Sequence, residues 1–464
     1  PVSYTERDSL VNRGYGHTII SMDYSNKDNL PLTGFLIQAS AYLRKPISQI
    51  SIGADFNYYN LGEESDLTSL GVDLKLSKHV GILPEILFLS PIIGFGFGHC
   101  QQKISSDIVQ LFSEGNDDNV TAQSYHFIVG LDKANEKQAK KAWKFFKKLK
   151  TPFSILWNDG PGLKKLDQEL KKKDLSPNEL GKGRNVWYCI GMSIARDTAR
   201  SVALHDCDIK TYDRRMLAKL FYPVVNPLFN FEFCKGYYPR VANGKMNGRV
   251  ARLLVFPLLT ALEKTIGKSD YLDFMKSFKY PLAGEFSFRR NVLPELRISS
   301  DWGIEIGILS EMQRSYSPQN ICQVDLAETY DHKHQKLSID DETKGLSRMS
   351  IDIIKTFIKK LATQGHSFSR EKFRSLKATY YRSALDLIDI YRSDAQMNGL
   401  KFDSHTEEKA VELFAINIMK AGEAFYLNPM DTPFIPTWSR VKSAIPDFLD
   451  RLQDAVNEDN KQYI

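Results

Sequence analysis

Along the first 82 or so residues, apolar and polar side chains alternate. Phe35, Ile37, Ala39, Ala41 and Leu43 form one series, Ile50, Ile52, Ala54, Phe56 and Tyr58 a second, and Leu70, Val72, Leu74 and Leu76 a third. Successive strand residues point to opposite faces, so each series predicts a half-buried strand. Lys45-Pro46 and the polar stretch from Asn60 to Asp66 read as turns, which predicts an antiparallel meander. Membrane β-barrel hairpins carry the same alternation, but three strands cannot close a barrel, and an accessory β-element is the simpler reading.

From Glu85 the period changes. Ile86 to Ile93 is a continuous apolar run, Gly94-Phe95-Gly96-Phe97-Gly98 reads as a turn because its spacing misses the dinucleotide fingerprint, and Ile104, Ile108, Leu111 and Phe112 predict a short helix. A clearer unit follows: a strand from His126 to Leu131 ending at Asp132, a helix from Glu136 to Leu149, and a strand from Phe153 to Trp157 closed by Asn158-Asp159-Gly160-Pro161, a turn by composition. Gly181-Lys182-Gly183-Arg184-Asn185 opens a helix from Val186 to Asp197, and the apolar Ser201 to Leu204 ends in His205-Asp206-Cys207-Asp208. Further on come a helix from Leu253 to Ile266 and a strand from Ile321 to Leu326. From Ser350 the spacing is helical, through Ile351, Ile354, Ile358 and Leu361, then Leu385, Leu387, Ile388 and Tyr391, then Leu413, Ile416, Phe425 and Tyr426, with a last helix from Val441 to Val456. Alternating strands and helices predict an α/β fold. Three regions are expected: a β-rich segment over 1–82, an α/β domain over 83–345, and a helical region over 346–464 suited to a lid, packing or oligomer role.

The bulk properties narrow this picture only slightly. At 464 residues, 42% hydrophobic and 25% charged, the chain has room for two or three domains with a large core. Sixty-two basic against 56 acidic residues give +6, which suits small anionic ligands better than nucleic acid. Lys140, Lys141, Lys144, Lys147 and Lys148 interleave with Ala142, Trp143, Phe145 and Phe146, the pattern of an amphipathic helix with a solvated basic face. Cys100, Cys189, Cys207, Cys234 and Cys322 are dispersed and odd in number, which argues against a disulfide framework and for a reducing cytoplasm. No apolar run reaches the roughly 18 residues of a membrane helix. The chain starts at Pro1 rather than Met, as a fragment of a longer protein would.

Candidate chemistry gathers at strand ends. Asp206 and Asp208, one residue apart in extended chain, point the same way and suit a hard divalent cation holding a diphosphate; Asp-x-Asp also arises by chance in loops. Lys182 between two glycines at a helix start can meet an anion, as can Arg249 after Gly248, although flexibility alone would explain the glycines. Glu285 in Pro281-Leu282-Ala283-Gly284-Glu285-Phe286 and Glu305 in Trp302-Gly303-Ile304-Glu305-Ile306-Gly307 have the composition of a lined pocket, or of helix caps and core edges. Tyr330-Asp331-His332-Lys333-His334 pairs His-x-His with an acid, which favours metal ligation over the usual structural histidine.

Taken in order, these motifs give residues 120–464 a resemblance to glucosyl-3-phosphoglycerate synthases, retaining nucleotide-sugar glycosyltransferases of the GT-A fold. The resemblance implies a Rossmann-like mixed sheet, a UDP-glucose or related nucleotide diphosphate sugar donor, a phosphorylated small acid such as 3-phosphoglycerate as acceptor, Mg²⁺ or Mn²⁺, and a homodimer. It implies Asp208 as main metal ligand with His332, Asp206 toward the ribose and the ion, and Lys182 at the nucleotide or its phosphates, with Gly183 and Asp159 on the donor side. It further implies Arg249 and Gly248 at the acceptor, Glu305 near the sugar hydroxyls, and Leu282 and Glu285 at the reacting centre. Two departures stand out: Leu87 to Ile93 carries no acidic residue where the family's first strand ends in one, and Ala251 replaces a threonine common beside the acceptor. Two other readings follow from the residues. One is an impaired chimera whose N-terminal segment, if barrel-derived, contacts a membrane; the other is a sugar nucleotidyltransferase, which would need a glycine-rich basic first loop.

Overall fold

The computed structural model describes the backbone of strands 17–25, 34–44, 50–60, 66–76 and 93–94, and residues 126–464 except 149–151, 178, 207–208, 227, 243, 329, 332–344, 430–433 and 462–464. The chain separates into two compact units, Pro1–Val120 and Thr121–Ile464.

In the first unit β1 (His17–Ser25), β2 (Gly34–Arg44), β3 (Ile50–Asn60), β4 (Asp66–Leu76) and β5 (Ile93–Gly94) pair antiparallel in sequence order. The register brings the alternating series into phase, with Ala41 opposite Ala54, Leu43 opposite Ile52, and Ile52 opposite Leu74. Strand β1 is one the alternation did not mark, because Ile19 and Ile20 fall side by side and break the period. Ile93 and Gly94 pair with Leu74 and Asp73; the rest of the run from Ile86, with the helix expected around Ile104 to Phe112, lies outside the described residues.

The second unit opens with β6 (Phe127–Leu131), α1 (Glu136–Lys147) and β7 (Phe153–Trp157), a β-α-β unit with the strands parallel from Phe127 beside Phe153 to Leu131 beside Trp157. Helix α1 starts on a reciprocal cap between Asn135 and Gln138, buries Ala139 and Trp143, and leaves its lysines in solvent. Next come α2 (Pro161–Lys172), α3 (Lys182–Arg196), β8 (Ser201–Leu204), α4 (Arg214–Val225), β9 (Phe233–Tyr237), a hairpin of β10 (Val241–Ala242) and β11 (Lys245–Met246), α5 (Phe256–Ile266) and α6 (Asp270–Lys276). A π-helical turn over Ala251–Val255 leads without a break into α5, where the sequence predicts a regular helix from Leu253; Pro257, which lacks an amide hydrogen, lies just past this turn. After them lie β12 (Phe286–Arg289), β13 (Ile298–Ser299), α7 (Ile304–Ser315) and β14 (Ile321–Asp325).

Strands β14, β9, β12 and β8 form, in that order, a mixed sheet: β14 runs parallel to β9, while β12 is antiparallel to both β9 and β8. Alternation sorts its faces. Phe233, Phe286 and Phe288 enter the main core; Cys234 joins Met216, Leu220 and Val224 of α4 in a second cluster.

The helices α8 (Gly345–Thr363), α9 (Arg370–Met397) and α10 (Ser404–Leu427) pack into the same main core through Ile354, Phe357, Leu376, Tyr380, Phe414 and Ile418, followed by β15 (Phe434–Ile435), α11 (Trp438–Ala444) and α12 (Phe448–Lys461). Two expectations change here. Ile416 is 47% exposed rather than part of the apolar face, and the single last helix is two, because Pro446 stops α11 and the chain restarts at Phe448. No helix among the described residues is long and apolar enough to cross a membrane.

Candidate active site

Strand register assembles the site. Phe286 pairs on one side with Leu204 and on the other with Lys235. Because β12 runs against both neighbours, the residues just before Phe286 meet those just after Leu204 and Lys235. Gly284 and Glu285 therefore face His205 and Asp206 at the carboxyl end of β8, the usual ligand position in open α/β sheets. The approach is close enough to require glycine: a Cβ on Gly284 would stand 2.3 Å from Asp206 Oδ2.

Two helix starts complete the cluster. Gly183 lies against the Ser299 carbonyl, 2.2 Å from where its Cβ would be, so the first turn of α3 sits beside the turn that opens α7. Lys182 then donates to Asp206 Oδ1 at 2.6 Å and to Glu305 Oε1 at 2.9 Å. Glu305, in the first turn of α7, is buried where the helix dipole favours a carboxylate. Burial alone would lower the Lys182 ammonium, but the charges of Glu305 and Asp206 and their hydrogen bonds outweigh it, and its pKa is raised.

Glu285 is fully buried. Tyr330 donates to its Oε1 and Tyr238 to its Oε2, each at 2.8 Å, the two rings stacked with centroids 3.5 Å apart. Burial and then the Asp206 charge raise its pKa, against the two phenol hydrogen bonds. Below it Lys235, 1% exposed, donates to the Ala283 carbonyl, while the Gly236 amide donates to the Glu285 carbonyl at 2.9 Å. Burial lowers Lys235 to about 8, although Glu305 and Glu285 pull the other way. His205 is lowered to about 4, chiefly by burial and against the Asp206 charge, and both its ring nitrogens lack partners among the described residues; a neutral imidazole leaves Asp206 to Lys182.

Asp159 belongs to a second cluster at the ends of β6 and β7. Buried Arg184 reaches Asp132 Oδ1 through Nη2 at 2.6 Å and Asp159 Oδ1 at 3.0 Å, and Asn158 donates to Asp132 at 3.1 Å. Arg249 is held elsewhere. Its Nε and Nη2 reach Glu407 Oε1 on α10 at 3.0 and 2.9 Å, while Arg252 takes Oε2 at 2.8 Å. Leu282 is half-buried and packs against the main core. The structure thus brings together Lys182, Gly183, Asp206, Glu285 and Glu305; Asp159, and Gly248 with Arg249, lie in separate polar clusters. Asp208 and His332 lie outside the described residues. No group of three His, Cys, Asp or Glu side chains gathers at metal-binding range among the described residues.

Sequence reasoning gave no role to Lys235, Tyr238, Tyr330, Arg184, Asp132 or Glu407. A lysine inside an apolar strand segment, Phe233-Cys234-Lys235-Gly236, was the available signal for the first. Nothing local marks Glu407, 158 residues from Arg249.

No family model matches the chain. Among curated proteins it is 41% identical over 336 residues to the glucosyl-3-phosphoglycerate synthase of Persephonella marina, spanning 72% of this chain and 83% of that one. It is 38% identical over 340 residues to the enzyme of the same name from Methanococcoides burtonii, with the same two shares. Among solved structures, a glucosyl-3-phosphoglycerate synthase of Mycobacterium tuberculosis in complex with Mn²⁺, UDP-glucose and phosphoglyceric acid aligns at TM-score 0.37 and 20% identity, over 56% of this chain and 74% of that one. A mannosyl-3-phosphoglycerate synthase from Rubrobacter xylanophilus aligns at TM-score 0.39 and 20% identity, over 53% and 66%.

Proposed function

Because the chain belongs to the glucosyl-3-phosphoglycerate synthase family, and so to the glycosyltransferases, we propose that it transfers glucose from a nucleoside diphosphate sugar to the hydroxyl of 3-phosphoglycerate or a similar phosphorylated acid. The anomeric carbon loses its bond to the diphosphate and gains one to the acceptor oxygen. The acceptor proton leaves with the nucleoside diphosphate, and front-face attack retains the anomeric configuration. The meeting of Lys182, Asp206 and Glu305 at the carboxyl end of β8 carries this reading.

Each group has a task that its surroundings favour. Lys182 is a permanently charged ammonium, 33% exposed in its side chain, suited to donor phosphates. Buried Glu305 and half-buried Asp206 present carboxylate oxygens suited to sugar and ribose hydroxyls. The loop from Leu282 to Glu285 is pinned at Ala283 by Lys235 and at Glu285 by Gly236 and two tyrosines, so its backbone is held still beside the reacting carbon. Arg249 and Gly248 stand on the acceptor side, and Asp159 helps fix the donor-side end of β7 through Arg184.

Of the three ligands that the resemblance implies, Asp206 lies among the described residues, where no group of three His, Cys, Asp or Glu side chains gathers at metal-binding range; its carboxylate oxygens are of the kind that Mg²⁺ and Mn²⁺ prefer. Asp208 and His332 would hold the ion, Asp206 beside them, and when bound it supplies Lewis-acid neutralisation of the leaving diphosphate. Calorimetric titration of UDP-glucose with Mg²⁺ into the wild type and Asp208→Asn tests this. Metal-dependent binding that the variant loses while keeping its melting temperature is expected; donor binding indifferent to both metal and variant would overturn it.

A further inference from the structure

The basic side chains of the second unit that face inward are mostly matched by carboxylates. Lys182 has Asp206 and Glu305, Arg184 has Asp132 and Asp159, and Arg249 and Arg252 share Glu407. Arg240 differs. Among the described residues it has no carboxylate at ion-pair distance, and its Nε is buried without a hydrogen-bond acceptor. Its guanidinium carbon lies 5.5 Å from the Tyr330 ring and 5.8 Å from the Tyr280 ring. Tyr330 is the residue whose hydroxyl holds Glu285.

The backbone fixes Arg240 beside Arg249. The β10–β11 hairpin returns the chain so that the Asn247 amide donates to the Arg240 carbonyl at 2.6 Å. Gly248, at φ +73°, lies under the Arg240 stem, and a Cβ there would stand 3.0 Å from both Arg240 Cβ and Cγ. Gly248 is therefore both a left-handed turn position and the floor on which Arg240 rests. Arg249 turns the Nε edge of its guanidinium to Glu407, whereas the Arg240 fork stays unmatched on two aromatic faces.

We propose that Arg240 is an anion-binding residue of the acceptor pocket, taking the phosphate of the phosphorylated acid, with Arg249 as a neighbour positioned by Glu407. A guanidinium braced by aromatic rings and lacking a carboxylate is pre-organised for a bidentate oxyanion, and a phosphate would also satisfy the buried Nε. This rests on the reading of the site as one for a phosphorylated acceptor.

The test is steady-state kinetics of wild type, Arg240→Gln and Arg240→Lys with UDP-glucose and Mg²⁺, using 3-phosphoglycerate and then glycerate as acceptor. Absence of transfer by the wild type would sink the functional reading itself. Given wild-type transfer, Arg240→Gln is expected to raise the KM for 3-phosphoglycerate at least 10-fold, leave the donor KM within about 2-fold, and leave the poor use of glycerate unchanged. Arg240→Lys, which keeps the stem and charge, is expected to raise the 3-phosphoglycerate KM at least 3-fold and serves alone if the glutamine variant does not fold. A 3-phosphoglycerate KM within 2-fold of wild type in the folded variants would overturn the assignment, as would an equal loss with glycerate.

Discussion

Replacing Gly284 by alanine adds one methyl group against the Asp206 carboxylate, where the structure leaves no room for it. Its Cβ would lie 2.3 Å from Asp206 Oδ2 and 2.7 Å from Asp206 Cγ, so either the carboxylate or the loop must move. If the carboxylate turns, its 2.6 Å bond to Lys182 is lost, and a charge-assisted bond contributes about 1.5–3 kcal/mol. If the loop moves, Ala283 leaves Lys235 and Glu285 leaves its two tyrosines. Overpacking of this kind costs about 1–3 kcal/mol of stability, and a displacement of about 1 Å at reacting groups lowers turnover about 100-fold. Gly284 is not among the residues at positive φ, so alanine meets no backbone penalty and the effect isolates the steric contact. The assay is nucleoside diphosphate release alongside thermal unfolding: kcat/KM should fall by about two orders of magnitude, with a melting temperature a few degrees lower. Activity within a factor of about three of wild type would refute the claim that this contact sets the geometry of Asp206.

Other outcomes follow from the same contacts. Lys182→Met leaves Glu305 buried without its cation; kcat/KM should fall about 100-fold or more and stability by about 1–3 kcal/mol, read by kinetics and by denaturant unfolding. Lys235 has a folded pKa of about 8 against 10.5 unfolded. Between those values the unfolded chain binds the extra proton, so stability due to this group rises with pH across that window, by on the order of 3 kcal/mol. Unfolding curves of wild type and Lys235→Met should therefore diverge in favour of the wild type from pH 8 to 10, and parallel curves would contradict the assignment. Glu407→Gln leaves Arg249 and Arg252 sharing no carboxylate and should cost about 3–5 kcal/mol, as for breaking a buried pair, with denaturant midpoints as the readout.

Part of the second unit was legible because its periods are set locally, from the parallel pair Phe127–Leu131 and Phe153–Trp157 to the apolar faces of α8, whereas α2, α4, β9, α6, β12 and α7 carried no such reading. The site was legible where a motif supplies both the residue and the turn that presents it: Lys182 after Gly181, Asp206 after an apolar strand, Glu285 after Gly284, Glu305 after Gly303. Partnerships were not legible, because they depend on register between distant strands. Lys182 and Glu305 are 123 residues apart, and Arg249 and Glu407 are 158 apart. Lys235 enters the site because Phe286 pairs with it across β9 and β12, and no local pattern encodes that pairing. The C-terminal helices looked free of chemistry for the same reason: Glu407 reads as one solvated carboxylate on an amphipathic helix until Arg249 and Arg252 are folded against it.

The most direct measurement is the product itself. The chain incubated with UDP-glucose, 3-phosphoglycerate and Mg²⁺ should release one nucleoside diphosphate per glucoside formed, with the α configuration of the donor kept in the ¹H NMR spectrum, and chelation should stop the reaction. Release of no nucleoside diphosphate with any common sugar nucleotide, or a β-configured product, would contradict it.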